Sequence, residues 1–485
     1  MKAFITPMHE LGEFEEIREK LVRGKGMLQV TGCIDAQKPH FIYCAGENFP
    51  YRLIVTYSDL RAKELYENYS FFDRNVLYFP AKDLIFFQAD IHGNLLERQR
   101  IQVLKALNEG EAVTVVTTAA ACMNYLVPFE RWKEQIVKVD LESVLDLEKL
   151  KRDLVRMGYE RMGQVEGPGQ FAIRGGILDI FPLTEENPVR IELWGDEVDS
   201  IRSFDVESQR SIENLESVLL YPAAELIPDQ KDRRRAWERI EKEAGKAEAF
   251  FKKEGKREEL SRIRDLMESI RDELEEFSVP LSAEGLIDYF TEKKESFLDC
   301  FPTEKTLLFL DEPNRILESA QAVELEFRES MEHRLEKGYV LPGQTKLLFS
   351  SQEAAARMCA GRAVGLCTLE NARSPWMVTG KYSLTVRSVN PYNNSFEYLV
   401  HDLKRWKKEG YRVILLSASR TRGNRLAGDL LEEGLTSYYT EDPLREVQPG
   451  EILITYGNAG RGYEYPLIKF VIIAESDIFG KEVGS

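Results

Sequence analysis

The first 130 residues alternate between two patterns of hydrophobic positions. Amphipathic segments with a period near that of an α-helix, such as LGEFEEIREKLV and LRAKELYENYSFF, are separated by short β-branched runs. These runs are MLQVT (27–31), RLIVTYS (52–58), VLYFP and AVTVVTT (112–118). Strands that alternate with helices of this length indicate βαβ units. The sequence therefore predicts an α/β fold with a parallel sheet.

The pattern changes near Arg131. After one more helix, DLEKLKRDLVRMGY, come short segments in which every second residue is apolar. Gly175-Gly176, Asn187-Pro188 and Gly195-Asp196 separate these segments as tight turns, so we expect a small antiparallel sheet. The following residues, 229–277, are highly charged with a helical period, which predicts long surface helices.

The α/β pattern then returns. KTLLFLDEP (305–313) predicts a buried strand followed by a long helix, and a last α/β unit extends from EYLVHDLKRWKKEG to IKFVIIAES. Between them, residues 343–380 show no regular period and contain Gly, Ser and Cys, which is typical of a linker. No internal repeat is found.

Charge and cysteine usage narrow the class of protein. The 485 residues include 65 basic and 82 acidic side chains, a net charge of −17, which argues against a broad basic face for duplex DNA but leaves room for a local patch. The six cysteines are scattered and form no CxxC pair, as expected for thiols of a reducing cytoplasm. The N-terminus does not resemble a signal peptide, and no apolar run is long enough to span a bilayer. We expect a cytoplasmic protein.

One segment partly matches a phosphate loop. On the GxxxxGK[ST] template, Gly32 and Lys38 fit, but Gln37 replaces the second glycine and Pro39 replaces the hydroxyl residue that binds Mg²⁺. Proline also removes one N–H donor that a helix N-terminus offers to an anion. The segment is either a degenerate nucleotide loop or a chance match at a strand–helix turn. Under both interpretations it should not bind nucleotide.

A second motif, an acidic pair at the end of a strand, also has two interpretations. Asp311 and Glu312 end an apolar strand, as in the Walker B motif that holds Mg²⁺ in ATPases, but strands also end in such pairs at solvated turns. Arg420, Arg422 and Arg425 precede a glycine-rich stretch (457–462) and could act as arginine fingers, although a turn between strands is the simpler interpretation. The five histidines have no metal-ligand spacing. The sequence therefore predicts no catalytic residue, metal site or cofactor.

Residues 167–211 carry a more specific signal. The strings F-x-x-R-G-G-I-L-D-I-F-P and R-I-E-x-x-G-D-E-V-x-S-I-R-x-F-D-x-x-x-Q-R are long. They resemble the domain shared by the excision-repair protein UvrB and the transcription-repair coupling factor (Mfd) family, and the resemblance weakens but continues over the whole chain. UvrB has an intact phosphate loop and an aromatic hairpin between the counterparts of Phe87 and Asp90, where this chain has too few residues. Both departures favour the N-terminal region of the coupling factor family.

The resemblance implies a division of the chain. It predicts a degenerate P-loop, RecA-like parallel-sheet domain (UvrB-like 1a and 1b) interrupted by an antiparallel β-rich UvrA-binding domain (UvrB-like 2), and then a second small α/β domain. The predicted boundaries are 1–130 for the first part, 131–222 for the β-rich domain, 223–345 for a helical continuation, 346–384 for a linker and 385–482 for the last domain.

The resemblance also implies a partner and a site. In this family the antiparallel domain binds UvrA, and the positions that carry the contact correspond to Arg174, Arg190 and Trp194. Two guanidinium groups suit carboxylates of a partner, and an aromatic anchor at a turn is typical of an interface. Alternatively, Arg190 and Glu192 pair on a solvated strand face while Trp194 packs into the core of its own sheet.

The expected function is that of a monomeric adaptor which recruits UvrA to RNA polymerase stalled at a DNA lesion. It would also help to restrain an ATP- and Mg-dependent double-stranded DNA translocase, whose domains, like the polymerase-binding one, are expected outside this sequence. In the family a C-terminal domain covers the UvrA surface, so this chain should bind UvrA constitutively. The rival is a UvrB-like ATP-dependent enzyme acting on damaged DNA, and a scaffold with no partner of its own is the third alternative.

Overall fold

The computed structural model describes residues 1–84, 93–277, 281, 284–371 and 373–480. The predicted fold class is confirmed: a parallel-sheet domain contains an inserted β-rich domain and is followed by a second α/β domain. Phe87 and Asp90, which flank the expected hairpin deletion, lie outside the described residues. No described helix combines the length and the apolar character needed to cross a membrane.

The first domain is built on a seven-stranded parallel sheet. In spatial order its strands are Gly380–Ser383, Gly26–Thr31, Arg362–Leu366, Thr306–Asp311, Tyr51–Thr56, Val113–Thr118 and Val76–Phe79. The central strands are nearly continuous runs of buried Val, Ile and Leu, since both faces of a parallel sheet are covered by helices. The four runs predicted in the first 130 residues are confirmed as strands of this sheet.

Helices cover this sheet and extend beyond it. Its α-helices are Lys2–Ile5, Gly12–Arg23, Lys38–Ala45, Asp59–Ser70, Gly93–Glu109, Ala119–Met123, Phe129–Glu134, Gln230–Lys253, Arg257–Glu275, Ile287–Phe290, Pro313–Glu336 and Ser351–Met358. Short 3-10 helices span Thr6–Glu10, Glu284–Leu286, Phe297–Cys300, Thr303–Lys305 and Pro342–Thr345. The predicted long surface helices are Gln230–Lys253 and Arg257–Glu275, which form a helical hairpin.

The prediction of a linker over residues 346–384 is wrong. This stretch forms a helix and two strands of the first sheet, and Arg362–Leu366 lies near the sheet centre between Gly26–Thr31 and Thr306–Asp311. Glycine in this stretch suggested a linker, but Gly365 is required by close packing within the strand. A Cβ there would lie 2.5 Å from the Met27 side chain and 2.8 Å from the ring of Pro313. The strand is short, and its pattern alone does not distinguish it from a loop.

The inserted domain contains a six-stranded sheet. Its strands in chain order are Glu160–Arg161, Gln170–Arg174, Ile177–Phe181, Val189–Trp194, Glu197–Phe204 and Ser211–Leu215, and only the first pair is parallel. The helix Leu147–Arg156 precedes it, and Val137–Asp140 pairs with Ser217–Leu220 in a separate ribbon. One face of the sheet contributes Phe171, Leu178, Ile180 and Ile191 to the core, so alternate residues point the other way.

The last domain has its own six-stranded sheet. The strands are Arg387–Ser388, Arg412–Ser417, Tyr438–Tyr439, Ile452–Tyr456, Tyr463–Tyr465 and Phe470–Ile473, and the helices are Phe396–Glu409, Arg420–Glu432, Pro466–Ile468 (3-10) and Glu475–Phe479. The hydrophobic core of the first domain continues into this sheet through Tyr463, Tyr465, Phe470 and Ile472. The two α/β domains therefore share one apolar interface.

Candidate functional site

The loop after the first strand has the shape of a phosphate loop in part. Gly32 has φ +83°, and a Cβ there would lie 1.9 Å from the carbonyl oxygen of Leu384. The helix Lys38–Ala45 starts where a phosphate-binding helix would start, but Pro39 lies in its first turn. A left-handed glycine at the strand end and a helix directly after it are what the sequence motif predicts.

Lys38 turns into the protein instead of towards solvent. Its buried Nζ lies 2.8 Å from Asp35 Oδ1, 2.7 Å from Asp311 Oδ1 and 2.8 Å from Glu312 Oε2. Burial alone would lower the pKa of Lys38, but the charges of Asp311 and Glu312 outweigh burial and hold the pKa above its usual value. All three ammonium donors are used within the chain, so this lysine has none left for a phosphate.

The second carboxylate oxygen of Asp311 also accepts hydrogen bonds. Thr56 Oγ1 donates to Asp311 Oδ2 at 2.7 Å, and Arg61 Nε donates to the same oxygen at 2.9 Å. Burial would raise the pKa of Asp311, but Lys38 and Arg61 outweigh it and keep the pKa low. The acidic pair thus lies next to the phosphate-loop lysine, as in an ATPase, yet it is neutralised by two cations of the same chain.

Gln37 is occupied by the last domain. Its buried side chain donates from Nε2 to the hydroxyl of Tyr465 at 3.1 Å, and that hydroxyl lies 2.6 Å from Nδ1 of His40. Because Nε2 of His40 faces the carbonyl oxygen of Phe4 at 2.7 Å, Nε2 carries the proton and Nδ1 accepts from Tyr465. Burial lowers the pKa of His40 to about 4, so the imidazole is neutral at pH 7.

Two of the three arginines considered as arginine fingers form ion pairs within the last domain. Arg420 pairs with Glu441 at 3.0 Å and lies over the ring of Tyr456, while Arg422 pairs with Glu475 at 3.4 Å. The glycine-rich stretch packs on the first domain: a Cβ at Gly457 would lie 1.9 Å from the ring of Phe71. This placement agrees with the simpler interpretation, a close-packed turn.

The second candidate site is the outer face of the antiparallel sheet. Arg190 and Asp179 are direct cross-strand neighbours, and the guanidinium donates from Nε and Nη2 to the two carboxylate oxygens at 2.7 and 2.9 Å. Nη2 also donates to Gln209 Oε1 at 2.9 Å, and the guanidinium lies 4.3 Å from the ring centre of Phe204. The hydrogen bond to Asp179 raises the pKa of Arg190. Arg190 is therefore held in one orientation.

The other two predicted residues lie on the same face. Alternation along the strand places Trp194 on the side of Arg190, and register places Arg174 next to Ile177, two residues before Asp179. Trp194 is 81% exposed, and Arg174 lies 3.9 Å from Asp179 with 57% of its side chain exposed. Trp194 does not pack into the sheet core, and Glu192 pairs with Arg202 at 2.6 Å instead of with Arg190. Both parts of the alternative interpretation are thus wrong.

Asp179 was missed by reasoning from the sequence. Asp179 lies in the G-G-I-L-D-I-F-P string. The alternation of apolar and polar residues along that strand was the available signal, because it places Asp179 on the polar face, opposite Arg190 of the neighbouring strand. The carboxylate is buried although it lies on the polar face. Its role is to orient Arg190.

The chain is similar to known proteins in one domain and over most of its length. Residues 137–226 match the family described as the UvrB interaction domain. Over 414 residues, 85% of the chain, the sequence is 34% identical to the transcription-repair-coupling factor of Bacillus subtilis. The chain is a relative of the transcription-repair-coupling factors.

Further coupling factors match at lower identity. The Staphylococcus epidermidis protein is 26% identical over 84% of the chain, and the Staphylococcus aureus (strain Mu50) protein is 24% identical over 99% of it. The chain spans 34% of the length of the B. subtilis and S. epidermidis coupling factors and 40% of the S. aureus one. The matched UvrB interaction domain contains the whole six-stranded sheet with Arg174, Asp179, Arg190 and Trp194.

Proposed function

We propose that this chain is a non-catalytic adaptor that binds UvrA through the outer face of its antiparallel sheet. In the proposed setting it recruits UvrA to RNA polymerase stalled at a DNA lesion. It also helps to restrain a double-stranded DNA translocase that belongs to other domains of the coupling factor. The observation that carries the proposal is that Arg174, Arg190 and Trp194 share one face within the matched UvrB interaction domain: Arg174 and Trp194 are exposed, and Arg190 is half-buried and held by Asp179.

The chemistry of this face supports a protein partner. Within the described residues, Nη1 of Arg190 has no hydrogen-bond partner, so it remains available to a carboxylate of another protein. Arg174 offers a second, more exposed guanidinium, and Trp194 offers a large apolar surface beside it. Trp and Arg at the centre of a contact are the residue types that carry most binding energy.

The loop geometry supports the non-catalytic part of the proposal. Lys38 and Asp311 neutralise each other, and Gln37 is bonded to Tyr465. ATP binding would have to break these buried contacts and would gain neither a Mg²⁺-binding hydroxyl nor the missing loop glycine. The UvrB-like enzyme is therefore the weaker candidate.

The six cysteines are free thiols, in keeping with the proposed cytoplasmic location.

The test is titration calorimetry of purified UvrA with the whole chain and with Trp194→Ala. Because this side chain lies almost entirely in solvent, its removal should leave folding intact and weaken UvrA binding by about 2 kcal/mol or more. Tyr398→Ala is the matched control, since it removes another exposed aromatic ring, on the last domain. We expect its affinity to equal that of the unaltered chain.

Arg190→Ala gives an independent reading of the same face. Loss of a paired interface arginine should weaken binding by about 2–4 kcal/mol. Because the variant also leaves the buried Asp179 without its partner, its folded fraction is measured first by circular dichroism. Absence of binding by the unaltered chain, or equal affinity of the Trp194 and Tyr398 variants, would refute the proposal and favour a scaffold without this partner.

A further inference from the structure

The helical hairpin ends in a basic surface that the proposed function does not use. Its helices Gln230–Lys253 and Arg257–Glu275 are joined by a short turn in which Gly255 has φ +69°. We call residues 250–257, together with residues 337–339 beside them, the basic tip. A helix of 24 residues is about 36 Å long, so the turn lies far along the hairpin from Asp229, where it begins.

Two separate elements meet at the basic tip. Arg262 Nη1 donates to the carbonyl oxygen of Lys337 at 3.0 Å, just past the end of helix Pro313–Glu336. The guanidinium of Arg262 lies 4.7 Å from the ring centre of Tyr339, and a Cβ on Gly338 would lie 2.6 Å from the carbonyl oxygen of Glu259. Because these contacts involve backbone atoms, they fix residues 337–339 in position against the second helix of the hairpin.

The basic tip concentrates positive charge in an acidic protein. Four of the six residues from 252 to 257 are cationic: Lys252, Lys253, Lys256 and Arg257. None of them forms an ion pair with any residue that the structure describes. Lys256 is half-buried and the other three are exposed, the exposed Lys337 adds a fifth cation, and Glu254 is the one acid of the basic tip. The chain as a whole carries −17, so this local reversal of sign would attract a polyanion that the rest of the surface repels.

Helix electrostatics explain only part of this charge. Lys252 and Lys253 lie in the last turn of their helix, where cations are favourable. Lys256 and Arg257, in contrast, are the N-cap and first residue of the next helix, where the helix dipole disfavours cations and where Lys256 makes no capping hydrogen bond. Glu258 and Glu259 supply the acids that this first turn favours, so the helix itself does not require the cations at 256 and 257.

Exposed aromatic rings accompany the cations. Phe250 and Tyr339 are each 54% exposed, whereas the neighbouring Phe251 is buried in the hairpin core. The hairpin thus directs one phenylalanine inward and the other towards solvent beside Lys253. Cations that follow a phosphate backbone, interleaved with rings on which bases can stack, are the features of surfaces that bind single-stranded nucleic acid.

We propose that the basic tip binds nucleic acid, with Lys252, Lys253, Lys256 and Arg257 on the phosphates and with Phe250 and Tyr339 against unpaired bases. The basic tip and the Arg190 face lie on different elements, so the proposal of nucleic-acid binding does not depend on the proposal of UvrA binding. An acidic protein segment is the other class of polyanion, but it would use the cations and leave the two rings without a stacking partner.

The test is fluorescence anisotropy with a labelled single strand of about 20 nucleotides, and with its duplex, at about 50 mM salt and above. The variant Lys256→Glu/Arg257→Glu should bind the single strand at least about tenfold more weakly. The slope of the logarithm of the binding constant against the logarithm of the salt concentration should decrease by the equivalent of about two phosphate contacts. Because acids are favourable at a helix N-terminus, this variant should be as stable as the unaltered chain, so weaker binding cannot result from unfolding.

The matched control is Lys407→Glu/Lys408→Glu, which makes the same charge change at exposed positions in the last turn of helix Phe396–Glu409. It should bind nearly as well as the unaltered chain. Phe250→Ala should weaken single-strand binding about fivefold or more and duplex binding less. No binding by the unaltered chain, equal losses in both double variants, or tip-dependent binding of polyglutamate that matches binding of the single strand would overturn the proposal.

Discussion

Nζ of Lys38 lies 2.7 Å from Oδ1 of Asp311, and both side chains are almost completely buried. In an active phosphate-loop enzyme the corresponding lysine and aspartate act on opposite sides of the ligand, one on phosphate and one on Mg²⁺. Here they contact each other directly. A buried ion pair therefore closes this loop from within the chain.

Removal of Lys38 should therefore cost stability and not activity. In Lys38→Met, Asp311 and Glu312 lose their shared cation, and breaking a buried pair from one side costs about 3–5 kcal/mol of unfolding free energy. The measurement is urea denaturation followed by circular dichroism. Lys63→Met, an exposed lysine on the neighbouring helix, is the control and should change stability by less than about 0.5 kcal/mol. Equal stability of the two variants would show that the ion pair contributes nothing.

Repair of the phosphate-loop motif should not restore nucleotide binding. Gln37→Gly/Pro39→Ser recreates the sequence pattern, but Lys38 remains bonded to Asp35, Asp311 and Glu312. We expect equilibrium dialysis with labelled ATP and Mg²⁺ to show no binding by the chain or by this variant, while an ATPase with an intact loop serves as the positive control. Tight Mg²⁺-dependent binding by the unaltered chain would instead favour the UvrB-like enzyme.

Acidification should weaken the packing between the two α/β domains through His40. Burial lowers its pKa to about 4 in the folded chain, whereas an unfolded histidine has a pKa of about 6.5. Between these values the unfolded chain binds more protons, so stability is full above about pH 6.5 and falls as the pH approaches 4, by on the order of 3 kcal/mol. His40→Gln should show a weaker pH dependence in denaturation experiments between these limits.

The control for this experiment is His401→Gln, because His401 is exposed on the last domain. Its pH dependence should match that of the unaltered chain. If the His40 and His401 variants keep the same slope of unfolding free energy against pH, the buried imidazole is not the source of acid sensitivity.

Two glycines should respond to alanine with opposite signs. Gly32 has φ +83°, and a Cβ would lie 1.9 Å from the Leu384 carbonyl oxygen, so Gly32→Ala should destabilise by more than about 2 kcal/mol. Gly245 lies inside helix Gln230–Lys253 with no atom within 4 Å of a Cβ, so Gly245→Ala should stabilise by about 0.5–1 kcal/mol. Thermal denaturation measures both, and a Gly32→Ala variant as stable as the unaltered chain would contradict the packing at Gly32.

Local patterns were sufficient for most of the elements. β-branched runs predicted the strands of the first sheet, and alternation with tight turns predicted the antiparallel strands that carry Arg174, Arg190 and Trp194. The changes at Gln37 and Pro39 were also visible in the sequence, because a motif with fixed spacing shows a missing residue directly. These features depend on neighbours a few residues apart, and the sequence contains that information.

The remaining features were decided by tertiary structure. Lys38 and Asp311 are 273 residues apart, and Gln37 and Tyr465 are 428 apart, so no periodicity connects them. The strand Arg362–Leu366 resembles a linker until the sheet on either side of it is formed. Sequence determined which elements form and which residues the phosphate loop lacks. Only tertiary packing decided that the loop is filled from within, inside the first domain for Lys38 and between the two α/β domains for Gln37, because burial and ion pairing depend on which distant side chains meet.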